Sequence, residues 1–463
     1  MKKAKKLVAL MLALVMAMGC MVTAFATDLT EDEATNDAAV NANEFDKEDT
    51  IKGVLDSATD VDYYSFKVNA MGLVTLSIEH NKLDSDSTYF NVSIEKVGTS
   101  ANTPITTFAS KGTEVKTSSA AFGADKGEYL VKVSMGAAHA ADLEYTLSYT
   151  VDSVAYCEVE NNNTYEKATA MQYASDLVVA NAKKYYGTVS TAADTDYFKM
   201  EVPAEGIVYF FIENDDNVKG SYSVALETHT KVNGSPVEKT LGTITIEDDE
   251  ALKNSACVGV LKGSYYFKVS GVDSTGGYKL FATFIPFKDI EHEYNGDIKN
   301  ANMISVGSTI QGSVFDAKDA DYYQIITTSE NPTFTVKAAA SAGTGDGKWK
   351  VRVLNVAGAD VAGASFNFTN ATGNSFQFTE DIPAGTYFIV VEGADSGVVN
   401  NGLYTLSIVD DDEPQTVLGL LDTLKNIDWS TFFANFAGWF EDINLLGMIT
   451  AITSSLIKLF ARL

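Results

Sequence analysis

One short motif occurs three times in this chain, and it constrains the fold more than any other feature of the sequence. It is an Asp-x-Asp pair followed at once by an aromatic-rich stretch: Asp60 to Tyr64, Asp194 to Phe198 and Asp319 to Tyr323. The second aspartates of the pairs, Asp62, Asp196 and Asp321, are 134 and 125 residues apart. This spacing indicates three copies of one domain.

Two further signatures follow each copy in the same order. A Gly-x-Tyr segment starts 65, 67 and 64 residues after the second aspartate, at Gly127, Gly263 and Gly385. A Tyr-x-Leu segment closes each unit, at 145–149, 278–282 and 404–408. Apolar residues alternate with mostly polar ones in these segments, which predicts strands with one buried face. With seven or eight such strands per unit and no convincing helix, we predict an all-β fold of three tandem antiparallel β-sandwiches, jelly-roll-like in form.

An acidic segment precedes each unit, and we interpret it as a domain linker. Each copy has a Glu-x-Glu pair and an asparagine six residues before an alanine: Glu31, Glu33 and Asn36, then Glu158, Glu160 and Asn162, then Glu291, Glu293 and Asn295. The predicted domains are therefore 27–152, 153–287 and 288–412.

Both ends of the chain differ from the repeats. Lysines, an apolar run from Leu7 to Met18 and Ala24-Phe25-Ala26 are typical of a signal peptide, residues 1–26, and predict a secreted or cell-surface protein. Cys20 leaves lipoprotein processing as an alternative. Residues 413–463 carry apolar residues at helical spacing but too short a run for a full span, so we predict an amphipathic helical tail. Its segment 417–463 would contact a membrane surface or a partner helix.

Charge excludes one class of partner. The whole chain has a formal net charge of −28, and loss of the four lysines of the signal peptide brings it to −32. Only two arginines, Arg352 and Arg462, are present. Because phosphate contacts require a basic surface, we predict no nucleic-acid partner.

Two cysteines follow the signal peptide, Cys157 and Cys257. An exported chain could join them in a disulfide. The alternative is that both are small buried side chains.

The three signatures together resemble the pre-peptidase C-terminal domain of bacterial secreted peptidases, which is related to the collagen-binding domains of bacterial collagenases. The resemblance covers about residues 31 to 410. It implies β-sandwich modules that bind Ca²⁺ through the linker and the first loops. Carried over by position, the implied ligands are Glu31, Glu33, Asn36, Asp60 and Asp62 in the first unit, Glu158, Glu160, Asn162, Asp194 and Asp196 in the second, and Glu291, Glu293, Asn295, Asp319 and Asp321 in the third.

The chemistry of Ca²⁺ agrees with this implication, because the ion takes six to eight oxygen ligands. The alternative is that Asp62, Asp196 and Asp321 form Asx-turns that start a strand while the linker glutamates are solvated.

Catalytic motifs are missing from the sequence: it has no H-E-x-x-H, no G-x-S-x-G and no phosphate loop. The four histidines, at 80, 139, 229 and 292, occupy unrelated positions in the repeats, so we predict surface imidazoles rather than a metal or acid–base constellation. We therefore expect a protein without enzymatic activity that binds an extracellular protein or polysaccharide. The alternative is a spacer, or an accessory subunit of a secreted peptidase or glycanase, with no ligand of its own.

Overall fold

The structure is a computed structural model. It describes residues 27–32, 36–98, 104–138, 143–176, 178, 181–214, 220–232, 235–272, 275–316, 318–328, 333–340, 347–369, 372–378, 382–394 and 403–411. The predicted signal peptide and the predicted tail lie outside these residues, as do Glu33 and His139. No helix in the described ranges has the length and apolar character needed to cross a bilayer.

The predicted all-β fold is confirmed: the described chain forms thirty strands, numbered here in chain order, and two single-turn 3₁₀-helices, Ala39–Asn41 and Tyr165–Lys167. The first sandwich has two sheets. In strand order, one sheet contains β1 (Asp28–Thr30), β3 (Thr50–Leu55), β11 (Leu143–Ser153), β5 (Gly72–His80) and β8 (Lys116–Ser118), and β9 (Phe122–Ala124) also pairs with β5. The other contains β2 (Asn43–Glu44), β4 (Val61–Val68), β10 (Gly127–Met135), β6 (Thr88–Lys96) and β7 (Thr106–Lys111).

The second sandwich repeats this arrangement. One sheet contains β13 (Tyr185–Val189), β21 (Gly276–Pro286), β15 (Gly206–Asn214) and β18 (Leu252–Asn254), and β19 (Val258–Val260) also pairs with β15. The facing sheet contains β12 (Thr169–Met171), β14 (Thr195–Val202), β20 (Gly263–Gly271), β16 (Tyr222–Val232) and β17 (Ser235–Ile246).

The third sandwich has the same strand order in both sheets. One contains β23 (Thr309–Ser313), β30 (Leu403–Asp410), β25 (Phe334–Ala340) and β28 (Asn374–Phe378). The other contains β22 (Asn302–Met303), β24 (Ala320–Thr327), β29 (Gly385–Gly393), β26 (Lys348–Asn355) and β27 (Asp360–Thr369).

The alternation read from the sequence is the alternation of burial in the strands. In β10, Tyr129, Val131 and Val133 are buried while the residues between them are partly exposed. These side chains join the core between the two sheets of the first sandwich. Alternating apolar residues form strands here because every second side chain of a strand points to the same face.

Each linker becomes an edge strand beside the Asp-x-Asp strand. The short strands β2, β12 and β22 run parallel to β4, β14 and β24. The backbone of the linker asparagine bonds to this strand in every repeat. The carbonyl oxygens of Asn36, Asn162 and Asn295 accept the backbone N–H groups of Tyr63, Tyr197 and Tyr322 at 2.9, 3.0 and 3.1 Å. In the third repeat this places the linker carboxylates beside Asp321 at the start of β24.

The described residues fall into two compact units, one ending at Asn161 and one beginning at Asn162. The second unit contains two sandwiches, which pack together. The ring of Phe210 in the second sandwich stacks on Phe315 in the third, with centroids 6.2 Å apart and an angle of 12°. Gly242 lies against the same Phe315 ring, where a Cβ would overlap it. The link between these sandwiches is therefore an apolar interface.

Both cysteines are free, buried thiols in the structure. The sulfur of Cys157 lies 3.7 Å from the carbonyl oxygen of Gly72. Cys257 packs with Ile207 and Ile290. Burial raises the pKa of Cys157 to about 11 and that of Cys257 to about 12, so both stay protonated.

His80 and His229 correct one prediction, because the side chains of both are buried and neither is a surface imidazole. Nε2 of His80 lies 3.1 Å from the hydroxyl of Ser110. His292 is partly exposed and faces Glu205, with 3.4 Å between Nε2 and the carboxylate.

The interface inside the second unit generates a stability prediction. We expect Phe315→Ala to lower the free energy of unfolding by about 3–5 kcal/mol, because a buried aromatic ring and its contacts are lost. Urea unfolding of the full chain, followed by circular dichroism of its strands, measures this change. Val356→Ala is the control, since Val356 is 70% exposed and its loss should cost less than about 0.5 kcal/mol. A change below about 1 kcal/mol for Phe315→Ala would show that the interface contributes little.

Candidate metal centre

Carboxylates from the third linker and the third Asp-x-Asp pair meet in the second unit. One carboxylate oxygen each from Glu291, Glu293 and Asp321 lie within 4.8 Å of one another. Glu291 and Asp321 are fully buried. The two glutamates belong to the linker and Asp321 to β24, and the linker is held to this strand by the bond from the backbone N–H of Tyr322 to the carbonyl oxygen of Asn295.

Glu291 is held by hydrogen bonds to both oxygens of its carboxylate. One oxygen accepts the backbone N–H of Ser313. The other accepts the hydroxyls of Tyr323 at 2.6 Å and Tyr404 at 3.2 Å and the side-chain amide of Asn295 at 3.1 Å. Glu291 is therefore fixed in place as an acceptor and is not solvated, contrary to the alternative reading of the linker glutamates.

Two oxygens in this site have no hydrogen bond. Asp321 accepts the hydroxyl of Tyr404 through Oδ2 at 2.6 Å. Its Oδ1 is buried and has no hydrogen-bond partner among the described residues, and the same holds for Oδ1 of Asn295. A buried oxygen without a partner costs roughly 1–3 kcal/mol. Such oxygens next to carboxylates are what a hard cation requires.

The first aspartate of each pair closes its own loop. In all three repeats its Oδ2 accepts a backbone N–H four residues earlier: Asp56 to Asp60 at 2.6 Å, Ser190 to Asp194 at 2.7 Å and Phe315 to Asp319 at 2.6 Å. The first aspartate therefore closes a turn, whereas the Asx-turn alternative was stated for Asp62, Asp196 and Asp321 and does not describe them, because they are buried. The second aspartate has a different role.

The second aspartate is buried and accepts a tyrosine hydroxyl from the opposite sheet. The pairs are Tyr145 with Asp62, Tyr278 with Asp196 at 2.6 Å and Tyr404 with Asp321 at 2.6 Å. Burial raises the pKa of Tyr404 well above its usual value, so the hydroxyl keeps its proton and donates.

Acidic groups crowd one another in the third site. Burial, and then the neighbouring carboxylates, raise the pKa of Asp321 and Glu293 well above their usual values. Burial likewise raises the pKa of Glu291 to about 7 and that of Asp319 to about 6. Across the described ranges, no lysine or arginine forms an ion pair with any of these four groups. Protons or a cation must therefore offset their charge.

The first repeat departs from the set implied by the resemblance. Glu31 occupies the place of Glu291, since it accepts the backbone N–H of Val54, the hydroxyl of Tyr64 and the amide of Asn36 at 2.9 Å. Among the described residues, which do not include Glu33, the oxygens that converge belong to Asp37, Asp60 and Asp62. Sequence reasoning missed Asp37, which directly follows the linker asparagine.

The second set is divided between the two units. Glu158 and Glu160 belong to the unit that ends at Asn161, and Asn162, Asp194 and Asp196 to the next. Within the second unit, the hydroxyl of Ser190 also donates to Asp194 at 2.7 Å. Phe198 stands where the other repeats have Tyr64 and Tyr323, so this copy lacks that hydroxyl.

Two residue types that hold the site went unnoticed in the sequence. Alternation assigns tyrosines 145, 278 and 404 to strands but does not indicate that their hydroxyls bond to the aspartates. A glycine lies nine residues before each second aspartate, at Gly53, Gly187 and Gly312. A Cβ there would overlap the ring of the tyrosine that bonds to the aspartate, so only glycine leaves room for it. The constant spacing was the signal that could have revealed both.

Comparisons with known proteins find only distant similarities. No protein-family model matches the chain, and no curated protein matches it. Among solved structures, the pre-peptidase C-terminal domain of a collagenase from Bacillus anthracis is 20% identical, with a TM-score of 0.19 over 24% of this chain and 94% of that one.

Two other solved structures are more distant in sequence. The CBM22-1–CBM22-2 tandem domain of Xyn10C from Paenibacillus barcinonensis is 11% identical, with a TM-score of 0.19 over 51% of this chain and 97% of that one. The CUB1-EGF-CUB2 domains of rat MASP-1 are also 11% identical, with a TM-score of 0.17 over 52% of this chain and 99% of that one. Likeness of this extent does not bear on ligands or activity.

The crowded carboxylates predict how stability depends on pH. Because the pKa values of Glu291 and Asp319 are raised in the folded state, to about 7 and about 6, the folded protein holds protons that the unfolded chain releases. The stabilisation that these two protonated carboxyl groups give the folded protein is full below about pH 4, and it is lost as the pH rises through about 7. The melting temperature in EDTA should therefore fall between about pH 4.5 and 7.5. A melting temperature that rises over this range would contradict the geometry of the site.

Proposed function

We propose that the third linker and its sandwich form a Ca²⁺ site, with Glu293, Asn295 and Asp321 as ligands and Glu291 beside them. The observation that carries this proposal is the pair of buried oxygens, Oδ1 of Asn295 and Oδ1 of Asp321, that lack hydrogen-bond partners next to converging carboxylates. Carboxylate and amide oxygens are the donors that Ca²⁺ prefers. The ion would supply positive charge where no basic side chain does so.

The proposal extends to the first sandwich with a changed ligand set. There Asp37 and Asp62 would take the ion, with Asp60 beside them. Glu31 would orient Asn36, to which it is hydrogen-bonded at 2.9 Å. For the second set, Glu158, Glu160, Asn162, Asp194 and Asp196 remain the ligands that the resemblance implies.

Bound Ca²⁺ would tie each linker to the strand that follows it. Linker glutamates and strand aspartates repel one another, and a cation between them converts the repulsion into attraction. Extracellular modules bind Ca²⁺ with dissociation constants of about 10⁻⁴–10⁻³ M. Such a site suits the exported protein that the N-terminal sequence predicts.

We further propose that the protein is secreted or held at the cell surface, lacks enzymatic activity, and presents its three sandwiches to an extracellular protein or polysaccharide. Three weak modules on one chain bind a polymeric ligand more strongly than one, because later contacts are intramolecular.

A second candidate function is that of a spacer, or of an accessory subunit without a ligand of its own. The interface inside the second unit favours this role, because Phe210 and Phe315 stack and Lys239 donates to Asn300 at 2.9 Å across it. A spacer needs such rigid joints, whereas a set of independent binding modules does not.

The calcium proposal is tested by thermal unfolding of the full mature chain in EDTA and in Ca²⁺. We expect Ca²⁺ to raise the melting temperature, because an ion at 100 times its dissociation constant adds about 2.7 kcal/mol. Asp321→Ala and Glu293→Gln should each reduce this response, while Asp248→Ala, which removes an exposed carboxylate of the same unit, should leave it intact. Identical melting curves in EDTA and Ca²⁺ would refute the proposal.

Ligand binding is tested separately with a glycan array and pull-down on collagen and other matrix proteins, using the full mature chain in Ca²⁺. Binding that weakens at least tenfold when the chain is shortened to one sandwich would support the multivalent module. A folded protein that binds nothing in either assay would favour the spacer.

A further inference from the structure

The second sandwich carries a second polar cluster, on the outer face of the sheet that contains β14, β20, β16 and β17. Glu227 and His229 are two residues apart on β16, so their side chains share one face. Glu238 on β17 is the direct cross-strand partner of His229. One donor atom of each residue lies within 4.8 Å of the other two.

Glu227 and His229 are close and largely shielded from solvent. Nε2 of His229 lies 3.0 Å from Oε2 of Glu227, and their side chains are 6% and 3% exposed. Glu238 is exposed and has no hydrogen bond or ion pair in the part of the chain that the structure describes. The cluster therefore has two buried donors and one donor that is exposed to solvent.

Three tyrosine rings fix the imidazole. Tyr165, from the 3₁₀-helix after the linker, stacks on His229 with centroids 4.1 Å apart and an angle of 15°. The rings of Tyr266 and Tyr197 meet it edge-on, at 5.0 and 6.0 Å. A donor with a locked orientation loses little freedom when it binds an ion.

The third sandwich shows that the fold does not require charge at this place. In the second sandwich Glu227 on β16 pairs with Tyr266 on β20. The equivalent pair in the third sandwich is Leu354 on β26 and Phe388 on β29, so Leu354 occupies the position of Glu227. There Leu354, Phe388 and Val390 form a small apolar cluster with Ile298 against it. Buried charge is costly and an apolar alternative exists in the same chain, so the polar cluster of the second sandwich calls for another explanation.

We propose that Glu227, His229 and Glu238 form a binding site for a divalent transition-metal ion such as Zn²⁺. One imidazole and two carboxylates are ligands that Zn²⁺ takes, and three protein ligands leave a fourth position for water. Nε2 of His229 would bind as a neutral donor, so uptake of the ion displaces any proton held there. Glu238 would swing in from solvent to complete the set.

Lys268 is the group that opposes the ion. Its Nζ lies 3.9 Å from Oε1 of Glu227 and 5.8 Å from the centroid of the Tyr197 ring. The ammonium faces Oε1, whereas Oε2 faces the imidazole. Lys268 therefore weakens binding without occupying the site, which makes its removal a diagnostic change.

The experiment is calorimetric titration of the full mature chain with Zn²⁺ in excess Ca²⁺, which keeps Zn²⁺ from the linker carboxylates. We expect one Zn²⁺ per chain at this site. His229→Gln, Glu227→Gln and Glu238→Gln should each weaken binding by more than about tenfold, and Lys268→Gln should strengthen it. The control is His292→Gln, which removes another imidazole of the same unit and should leave the affinity unchanged.

Melting temperatures without Zn²⁺ separate loss of the ligand from loss of the fold. Glu238 is exposed, so Glu238→Gln should melt as the unchanged protein does and still bind Zn²⁺ poorly. Co²⁺ should give the visible absorption of a four-coordinate ion, and His229→Gln should remove it. A wild-type chain that takes up no Zn²⁺, or a His229→Gln chain that binds it as tightly as wild type, would overturn the proposal.

Discussion

Each sandwich depends on one hydrogen bond between its two sheets, from a tyrosine hydroxyl to a buried aspartate. In the third sandwich this bond joins Tyr404 on β30 to Asp321 on β24 at 2.6 Å. It compensates part of the cost of removing a carboxylate from water and fixes the two sheets relative to each other. Gly312 leaves room for the tyrosine, and Glu291 accepts the same hydroxyl from the linker side. The same hydrogen bond therefore helps to fix the positions of the strands, the linker and the candidate metal centre.

The sequence was sufficient to predict what depends on local pattern. Strands such as β10 follow from alternation, and the repeated Glu-x-Glu segment marked the linkers that lie beside β4, β14 and β24. Side chains that act across the fold were not predictable in this way. Asp37 meets Asp60 and Asp62 only in the folded chain, and a hydrophobic pattern cannot distinguish a tyrosine needed for its hydroxyl from one needed for its ring.

The three copies also show where the fold tolerates change. The tyrosine–aspartate bond is present in every sandwich, whereas the outer face of the adjoining sheet varies. It is apolar around Leu354 and charged around Glu227. The position of His229 gave no sequence signal, because its partners Tyr165 and Glu238 reach it through tertiary packing and strand pairing. Differences between the sandwiches on this face are therefore the place to look for separate roles.

The loop-closing role of the first aspartate limits how the linker sites can work. Asp319 gives one oxygen to the backbone of Phe315 and Asp321 gives one to Tyr404. In each of these two carboxylates, one oxygen is engaged by a protein hydrogen bond and the other faces away from that bond. The ion proposed here would therefore share its ligands with the protein's own hydrogen bonds. The joint would then respond to the ambient Ca²⁺ level, firm where the ion is plentiful and loose where it is scarce.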